Sequence, residues 1–312
     1  MHFSIAGTLE LAPLSPTFGV DVLNVSAAEC AASPDLQALL RAAIAQHLLL
    51  RFPEQAVTPD DALALTAAFG PLMDLRSASH VPGRQFLQVL SNGIDADGKR
   101  CGDGNNSAQI WHTDAGQWDV PPGISVFYGV LVPPSAPKNG YKNMAQVYAA
   151  LPQRLKEQIQ TLKAVHHMYP RSVDVLVHQK GASLPREQRE VGQVQPLVRR
   201  HLGSGAPVLY LPSRRDSVIL GMPDAASRSL LEELWDFTNQ QHHCDWIATT
   251  RRGDFVVFDN TALVHNREGW PTSERRDIWH LVTEGEAVTP MFTRKTLNLN
   301  STASVVSEAP AY

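Results

Sequence analysis

The sequence predicts a mainly β protein, a sandwich or barrel decorated by a few helices. Three observations carry this expectation. Short apolar strand-like runs, strongest at 124–132, 255–258 and 278–282, flank a few longer helical stretches. No regular βαβ alternation and no GxGxxG occur, which argues against a doubly wound nucleotide-binding fold. No internal repeat and no Pro/Gly/Ser-rich linker divides the chain, so it reads as one domain over residues 1–295. A tail over 296–312, Ser/Ala/Val-rich with few charges, is assigned no structure.

Taken in order, residues 3–24 hold short apolar runs broken by Pro13, Pro16 and Gly19, which read as opening strands. An Ala/Leu-rich amphipathic helix over 35–49 takes Ser33 and Pro34 as its start signal, and a short buried strand follows at 48–52. Thr58-Pro59-Asp60-Asp61 has the form of a capping box with proline at the first helical position. The helix it opens stops at Gly70-Pro71. From 74 to 108 the pattern weakens into a Gly/Asp/Asn-rich loop in which only 86–90 looks like a strand. Such a loop ahead of a candidate metal strand is either a lid or a plain surface loop.

The strand at 124–132 ends at Pro133-Pro134, and Leu151-Pro152 opens a helix through about 165 with Leu155, Ile159 and Leu162 on one face. Residues 196–200 and 208–211 look like a hairpin about 203–205. A helix from 224 to about 239 carries Leu230, Leu231, Leu234 and Phe237 as its stripe, and strands 255–258 and 278–282 enclose the turn-rich 266–273.

Composition bounds the function. Of the 312 residues, 43% are hydrophobic and 19% charged, as in a globular protein with a sizeable core. A net charge of −4 gives no global attraction to nucleic acid or anionic membrane. Cys30, Cys101 and Cys244 have no CxxC spacing, so neither a disulfide framework nor a structural zinc site is expected. Reduced thiols and the lack of a signal-like N-terminus or a bilayer-length apolar run make a cytoplasmic protein the default.

The candidate chemistry lies in Ile110-Trp111-His112-Thr113-Asp114-Ala115-Gly116-Gln117-Trp118-Asp119. Two residues apart on an extended strand, His112 and Asp114 point to one face and can take neighbouring positions on a divalent metal. A second His, best supplied by His265, completes a 2-His-1-carboxylate face, which leaves three positions open and suits non-haem Fe(II) and oxygen chemistry. His-x-Asp alone is common by chance and reads equally as a surface pair. Period-2 counting puts Arg276, Ile278 and His280 on one face, so Arg276 rather than Arg275 can face the cleft of His265. His166-His167 and His242-His243-Cys244 lack a carboxylate partner and read as structural or surface groups. Arg214-Arg215 and Arg251-Arg252 read as solvated turn charges, and Trp118 and Trp279 as core.

These residues, taken together, resemble the taurine/2,4-D (TauD/TfdA) family of Fe(II)- and 2-oxoglutarate-dependent dioxygenases. Leu50-Arg51-Phe52-Pro53-Glu54-Gln55 with Phe69-Gly70-Pro71-Leu72 is similar to its N-terminal signature. Trp111-His112-Thr113-Asp114 with Pro121-Pro122 is similar to its first metal motif. Asn143-Met144, Tyr148 and Ala150-Leu151-Pro152 resemble the segment after the major strand, and Gly253-Asp254, Phe258-Asp259-Asn260 and His265 the second metal motif. Each match is weak alone; the ordered set, over about residues 5–290, is specific.

The resemblance implies a double-stranded β-helix (jelly-roll, cupin-like) core, usually in a homo-oligomer. It implies iron held by His112, Asp114 and His265, with 2-oxoglutarate and O2 as co-substrates converted to succinate and CO2 while a small molecule is hydroxylated. Arg276 is then the residue that binds the distal carboxylate of 2-oxoglutarate, a match for its planar charged fork. Counted back from Asn143-Met144, Asn139 occupies the family's Thr position at that carboxylate; a slipped alignment within 135–142 would place another residue there. Relatives acting on taurine or aryloxyacetates carry a second Arg where this chain has His280, four residues after Arg276. Taurine and 2,4-D are therefore expected to be poor substrates. Substrate contacts are assigned to His280, Arg267 and Trp118, with the loop 77–84 as another source of an anchor. Desaturation or ring formation at the same iron, a zinc hydrolase using the same ligands, and a non-catalytic binder on the same scaffold remain alternatives.

Overall fold

Local capping chemistry sets the first elements. The computed structural model describes residues 9–167 and 189–293, so residues 3–8 of the expected opening strands and the tail from 296 lie outside the described residues. β1 (Leu11–Pro13) and β2 (Val20–Val22) precede α1 (Ala27–Ala32). Ser33 then caps α2 (Pro34–His47), its hydroxyl accepting from the Leu36 N–H at 3.3 Å. Leu48 turns left-handed at φ 63° and releases the chain into β3 (Leu49–Phe52). The capping box of Thr58 and Asp61 forms as expected, with Pro59 opening α3 (Pro59–Ala67). Next come β4 (His80–Val81), β5 (Arg84–Ser91), β6 (Gln109–His112), β7 (Ile124–Leu131) and β8 (Lys138–Asn143).

After β8 the chain forms α4 (Met144–Ala150), α5 (Gln153–Ile159), β9 (Lys163–His167), β10 (Gly192–Pro196), β11 (Val198–Arg200), β12 (Pro207–Leu209) and α6 (Asp224–Gln240). It ends in β13 (Asp245–Thr249), β14 (Phe255–Asp259), β15 (Leu263–Arg267) and β16 (Asp277–Val282). Contacts divide these elements into two units. One takes the chain up to Gly116 with Val120–Asn143 and Gln241–Ala287; the other takes Gln117–Asp119, Met144–Gln240 and the chain from Val288.

The first unit is built on two sheets. The larger has the order β1-β2-β3-β14-β7-β16-β5-β4, and the smaller β13-β8-β15-β6. All described pairings within them are antiparallel except β2 with β3. The central strand β14 explains the layering. Its Phe255 and Val257 join one core with Leu40, Ile44 and Leu65 of α2 and α3. Its Val256 and Phe258 join another with Tyr141 and Leu263 of the small sheet. Alternation thus buries both faces, which is why Phe255-Val256-Val257-Phe258 reads as an unbroken apolar run. The architecture is the expected one, mainly β with a jelly-roll core and helices on its outer side.

In the second unit β9 pairs with β10 and β11 with β12, both antiparallel. The expected helix to about 165 stops at Ile159, because Lys163–His167 finds a strand partner in β10 that no local pattern announces. The stripe of α6 is buried at Leu230, Leu231 and Leu234, with Trp235 beside it. Arg214 is not a solvated turn charge: it is 3% exposed and pairs through two N–H groups with Asp216 at 2.6 Å. Among the described residues no helix is long and apolar enough to cross a membrane.

Candidate active site

The small sheet of the first unit gathers the chemistry. His112 ends β6, and the β15–β6 register sets it directly opposite His265, whose other neighbour is Tyr141 on β8. The two imidazole centroids lie 4.2 Å apart. Asp114 is not on the strand as expected. It lies past the end of β6, before a left-handed Ala115 (φ 46°), so its position comes from tertiary bonds rather than from strand alternation. Asn260 supplies them. Its Oδ1 accepts the Asp114 N–H at 2.9 Å, and its Nδ2 donates to the carbonyls of Asp114 at 3.2 Å and Pro122 at 3.0 Å. Ser125 at the head of β7 donates to Asp114 Oδ2 at 2.7 Å.

Asp114 Oδ1 then faces His265 Nε2 at 3.6 Å and His112 Nε2 at 4.0 Å. One donor atom from each of His112, Asp114 and His265 lies within 4.8 Å of the others, and among the described residues this is the group of His, Cys, Asp and Glu side chains that can hold a metal ion. Protonation fits a cation at that point. His112 Nδ1 sits 2.8 Å from the Ile110 carbonyl, which can only accept, so Nδ1 is the donor there and Nε2 is the ring nitrogen left for the site. Burial, assisted by the neighbouring His112, pushes His265 down to about 3, leaving it neutral at pH 7. Burial by itself would raise Asp114, but the imidazoles of His265, His280 and His112 hold its carboxyl well below the usual range. Two imidazole nitrogens and a carboxylate oxygen converge here, a donor set that suits a divalent transition metal.

Arg276 enters from the large sheet, immediately before β16. It is 6% exposed, and Ile278 and His280 are buried with it, in agreement with the period-2 phase. Arg275 points elsewhere and pairs with Asp277 at 2.7 Å. Neither Arg276 nor Arg267 forms an ion pair with an acid among the described residues, and the Nε of each is buried without a hydrogen-bond partner. Both guanidinium groups lie over the Trp270 ring, at 5.6 and 4.4 Å from its centroid. Burial lowers Arg276 to about 10 and, with the charge of Arg276 adding to it, Arg267 to about 9; both stay cationic at pH 7.

The remaining expected residues divide. Arg267 Nη2 donates to the carbonyls of Ser107 at 2.6 Å and Asn105 at 3.1 Å, bracing the loop that leads into β6. Asn139 is buried on β8 opposite Arg267, but its amide donates to Thr250 Oγ1. His280 turns Nε2 toward Asp114 Oδ2 at 3.3 Å and sets Nδ1 2.9 Å from Gln88 Oε1. Trp118 belongs to the second unit, where its carbonyl accepts from Gln195. Among residues that sequence reasoning left without a role, Asn260 had a signal in its place between Asp259 and His265. Ser125, Gln88 and Tyr141 had none.

The chain as a whole is similar to known proteins. The family described as taurine catabolism dioxygenase TauD, TfdA family matches residues 10–283. The chain is 31% identical over 287 residues to the (S)-phenoxypropionate/alpha-ketoglutarate-dioxygenase of Sphingobium herbicidovorans, covering 89% of this chain and 95% of that one. It is 28% identical over 286 residues to the alpha-ketoglutarate-dependent 2,4-dichlorophenoxyacetate dioxygenase of Cupriavidus pinatubonensis, covering 88% and 98%. A taurine dioxygenase structure from Burkholderia xenovorans superposes with a TM-score of 0.72 at 23% identity, covering 90% of this chain and 93% of that one, which establishes the shared fold.

Proposed function

Because the chain belongs to the TauD/TfdA family and is therefore an Fe(II)- and 2-oxoglutarate-dependent dioxygenase, we propose that His112, Asp114 and His265 hold the iron, that Arg276 grips the distal carboxylate of 2-oxoglutarate, and that a small-molecule substrate is hydroxylated beside them. The convergence of two imidazole nitrogens and an Asp114 carboxylate oxygen within 4.8 Å of one another carries this reading. When bound, the iron supplies the oxygen-activating redox chemistry that couples decarboxylation of 2-oxoglutarate to oxidation of the substrate.

The protein's part is orientation and exclusion of water. The Ile110 carbonyl fixes the His112 tautomer, and Ser125 and Asn260 fix the Asp114 carboxylate and backbone. Phe127 and Phe258 pack their rings on His265 at 5.5 and 5.1 Å, an apolar wall beside the metal ligands. Arg276 and Arg267, two buried cations without an acid among the described residues, favour an anion between the metal ligands and Trp270.

The substrate reading rests on His280. An imidazole turned to Asp114 and Gln88 offers no bidentate fork to a sulfonate or carboxylate. The substrate is accordingly a small molecule that does not depend on a guanidinium at this position. The testing experiment supplies apo-protein with Fe(II), 2-oxoglutarate and O2 and measures succinate. Succinate release is expected from the unmodified protein and is lost in Asp114→Ala; full activity in that variant refutes the ligand assignment.

A further inference from the structure

Tyr141 carries one of the buried polar atoms that have no hydrogen-bond partner among the described residues, and it is the one packed directly on His265. It lies on β8 between His265 on one neighbouring strand and Trp246 on the other, and its side chain shares a face with Asn139. The ring is clamped: it stacks on Trp246 at 5.5 Å, meets Phe258 edge-on at 5.2 Å and lies parallel to His265 at 6.3 Å. Gly140 makes the tight strand approach possible, since a Cβ there would come within 2.4 Å of Asn266 Oδ1 and 2.8 Å of the Trp111 ring. The residue is 1% exposed, and its hydroxyl has no hydrogen-bond partner among the described residues. A buried hydroxyl left without a partner is costly unless a ligand satisfies it.

The surroundings identify the ligand's chemistry. Tyr141 is paired across the sheet with His265, and Asn139, two residues earlier on the same face, with Arg267, whose guanidinium shares the Trp270 ring with that of Arg276. A buried phenol O–H on this face and the buried guanidinium Nε of Arg276, neither with a hydrogen-bond partner among the described residues, together suit an acceptor with several lone pairs and a negative charge. Asn139, expected to donate at the same place, has one of its two amide hydrogens engaged by Thr250.

We propose that the Tyr141 hydroxyl is the second donor to the distal carboxylate of 2-oxoglutarate, acting beside Arg276 where sequence position alone points to Asn139. This rests on the reading of the iron and co-substrate site above. A rigid phenol held by Trp246 and Phe258 loses little freedom on making the bond, and the bond is made only to a 2-oxo acid that carries a far carboxylate. Tyr141 thus selects the dicarboxylate over its monocarboxylate analogues.

The test uses full-length protein loaded with Zn(II) to keep it catalytically silent, titrated calorimetrically with 2-oxoglutarate and with 2-oxovalerate, which has a methyl group in place of the far carboxylate. Tyr141→Phe preserves the ring and its packing. It should weaken 2-oxoglutarate about tenfold, the loss of one hydrogen bond to a charged group, and leave 2-oxovalerate within about twofold. In an Arg276→Met background the same Tyr141→Phe change should have a smaller effect, because both groups serve one carboxylate. If Tyr141→Phe weakens neither ligand, or both equally, while Arg276→Met abolishes the preference for 2-oxoglutarate, the Tyr141 proposal fails and the co-substrate site stands. If the unmodified protein shows no preference for 2-oxoglutarate over 2-oxovalerate, the site reading itself fails.

Discussion

Asn260→Ala tests how Asp114 is held without touching a metal ligand. Asn260 is fully buried and makes three bonds around Asp114: it accepts from the Asp114 N–H and donates to the carbonyls of Asp114 and Pro122. At a net contribution of about 1 kcal/mol each, their loss removes about 3 kcal/mol of stability. Leaving the Pro122 carbonyl without its donor adds to this. For a protein of this size the thermal midpoint should fall by roughly 5–10 °C. The larger consequence is local. With its backbone released, Asp114 must be ordered by the metal itself, and affinity should fall about 10–100-fold, the range for lost outer-shell support. Differential scanning calorimetry of the apo-protein gives the first number, and Co(II) titration of the unmodified and variant proteins gives the second. A variant with the expected drop in midpoint but unchanged Co(II) affinity would refute the view that Asn260 acts through Asp114. An unchanged midpoint would refute the bond count.

Two further outcomes follow from the same geometry. Arg276→Met should raise the apparent KM for 2-oxoglutarate steeply, by roughly 2–5 kcal/mol of binding energy, and Arg276→Lys should rescue poorly because an ammonium has no fork. Arg275→Ala should change KM little, since Arg275 pairs with Asp277, and a larger defect there than at Arg276 would overturn the strand phase. In a panel scored by succinate formation, taurine and 2,4-D should turn over poorly in the unmodified protein, and His280→Arg should improve one of them; efficient taurine turnover without that change would sink the argument from His280.

Where a segment's fate depended on its own residues, the sequence was enough. Ser33-Pro34 and Thr58-Pro59-Asp60-Asp61 start helices by bonds to their own next turn, and the structure shows α2 and α3 starting there. The apolar run 255–258 announced a strand buried on both faces, and Arg276, Ile278 and His280 fell on the buried phase that alternation required. His-x-Asp alone is common by chance; what singled out His112, Asp114 and His265 was their place in an ordered set of motifs, and the structure brings their donor atoms within 4.8 Å of one another.

The small sheet that carries them was not legible, and β8 shows why. Lys138-Asn139-Gly140-Tyr141-Lys142-Asn143 has one apolar side chain, yet every residue from Asn139 to Asn143 is buried. Several of its polar groups are met by distant partners: Lys142 by Asp245 at 2.5 Å, Asn139 by Thr250, and Gly140 N–H by Asn266 at 3.0 Å. Hydrophobic alternation cannot report a buried strand whose side chains are polar on both faces. The same holds for Asp114, which strand periodicity placed correctly beside His112 for the wrong reason. Its direction comes from Asn260, 146 residues on, and from Ser125 on the next strand, because a backbone that has left its ladder takes its orientation from whichever side chains complete its hydrogen bonds.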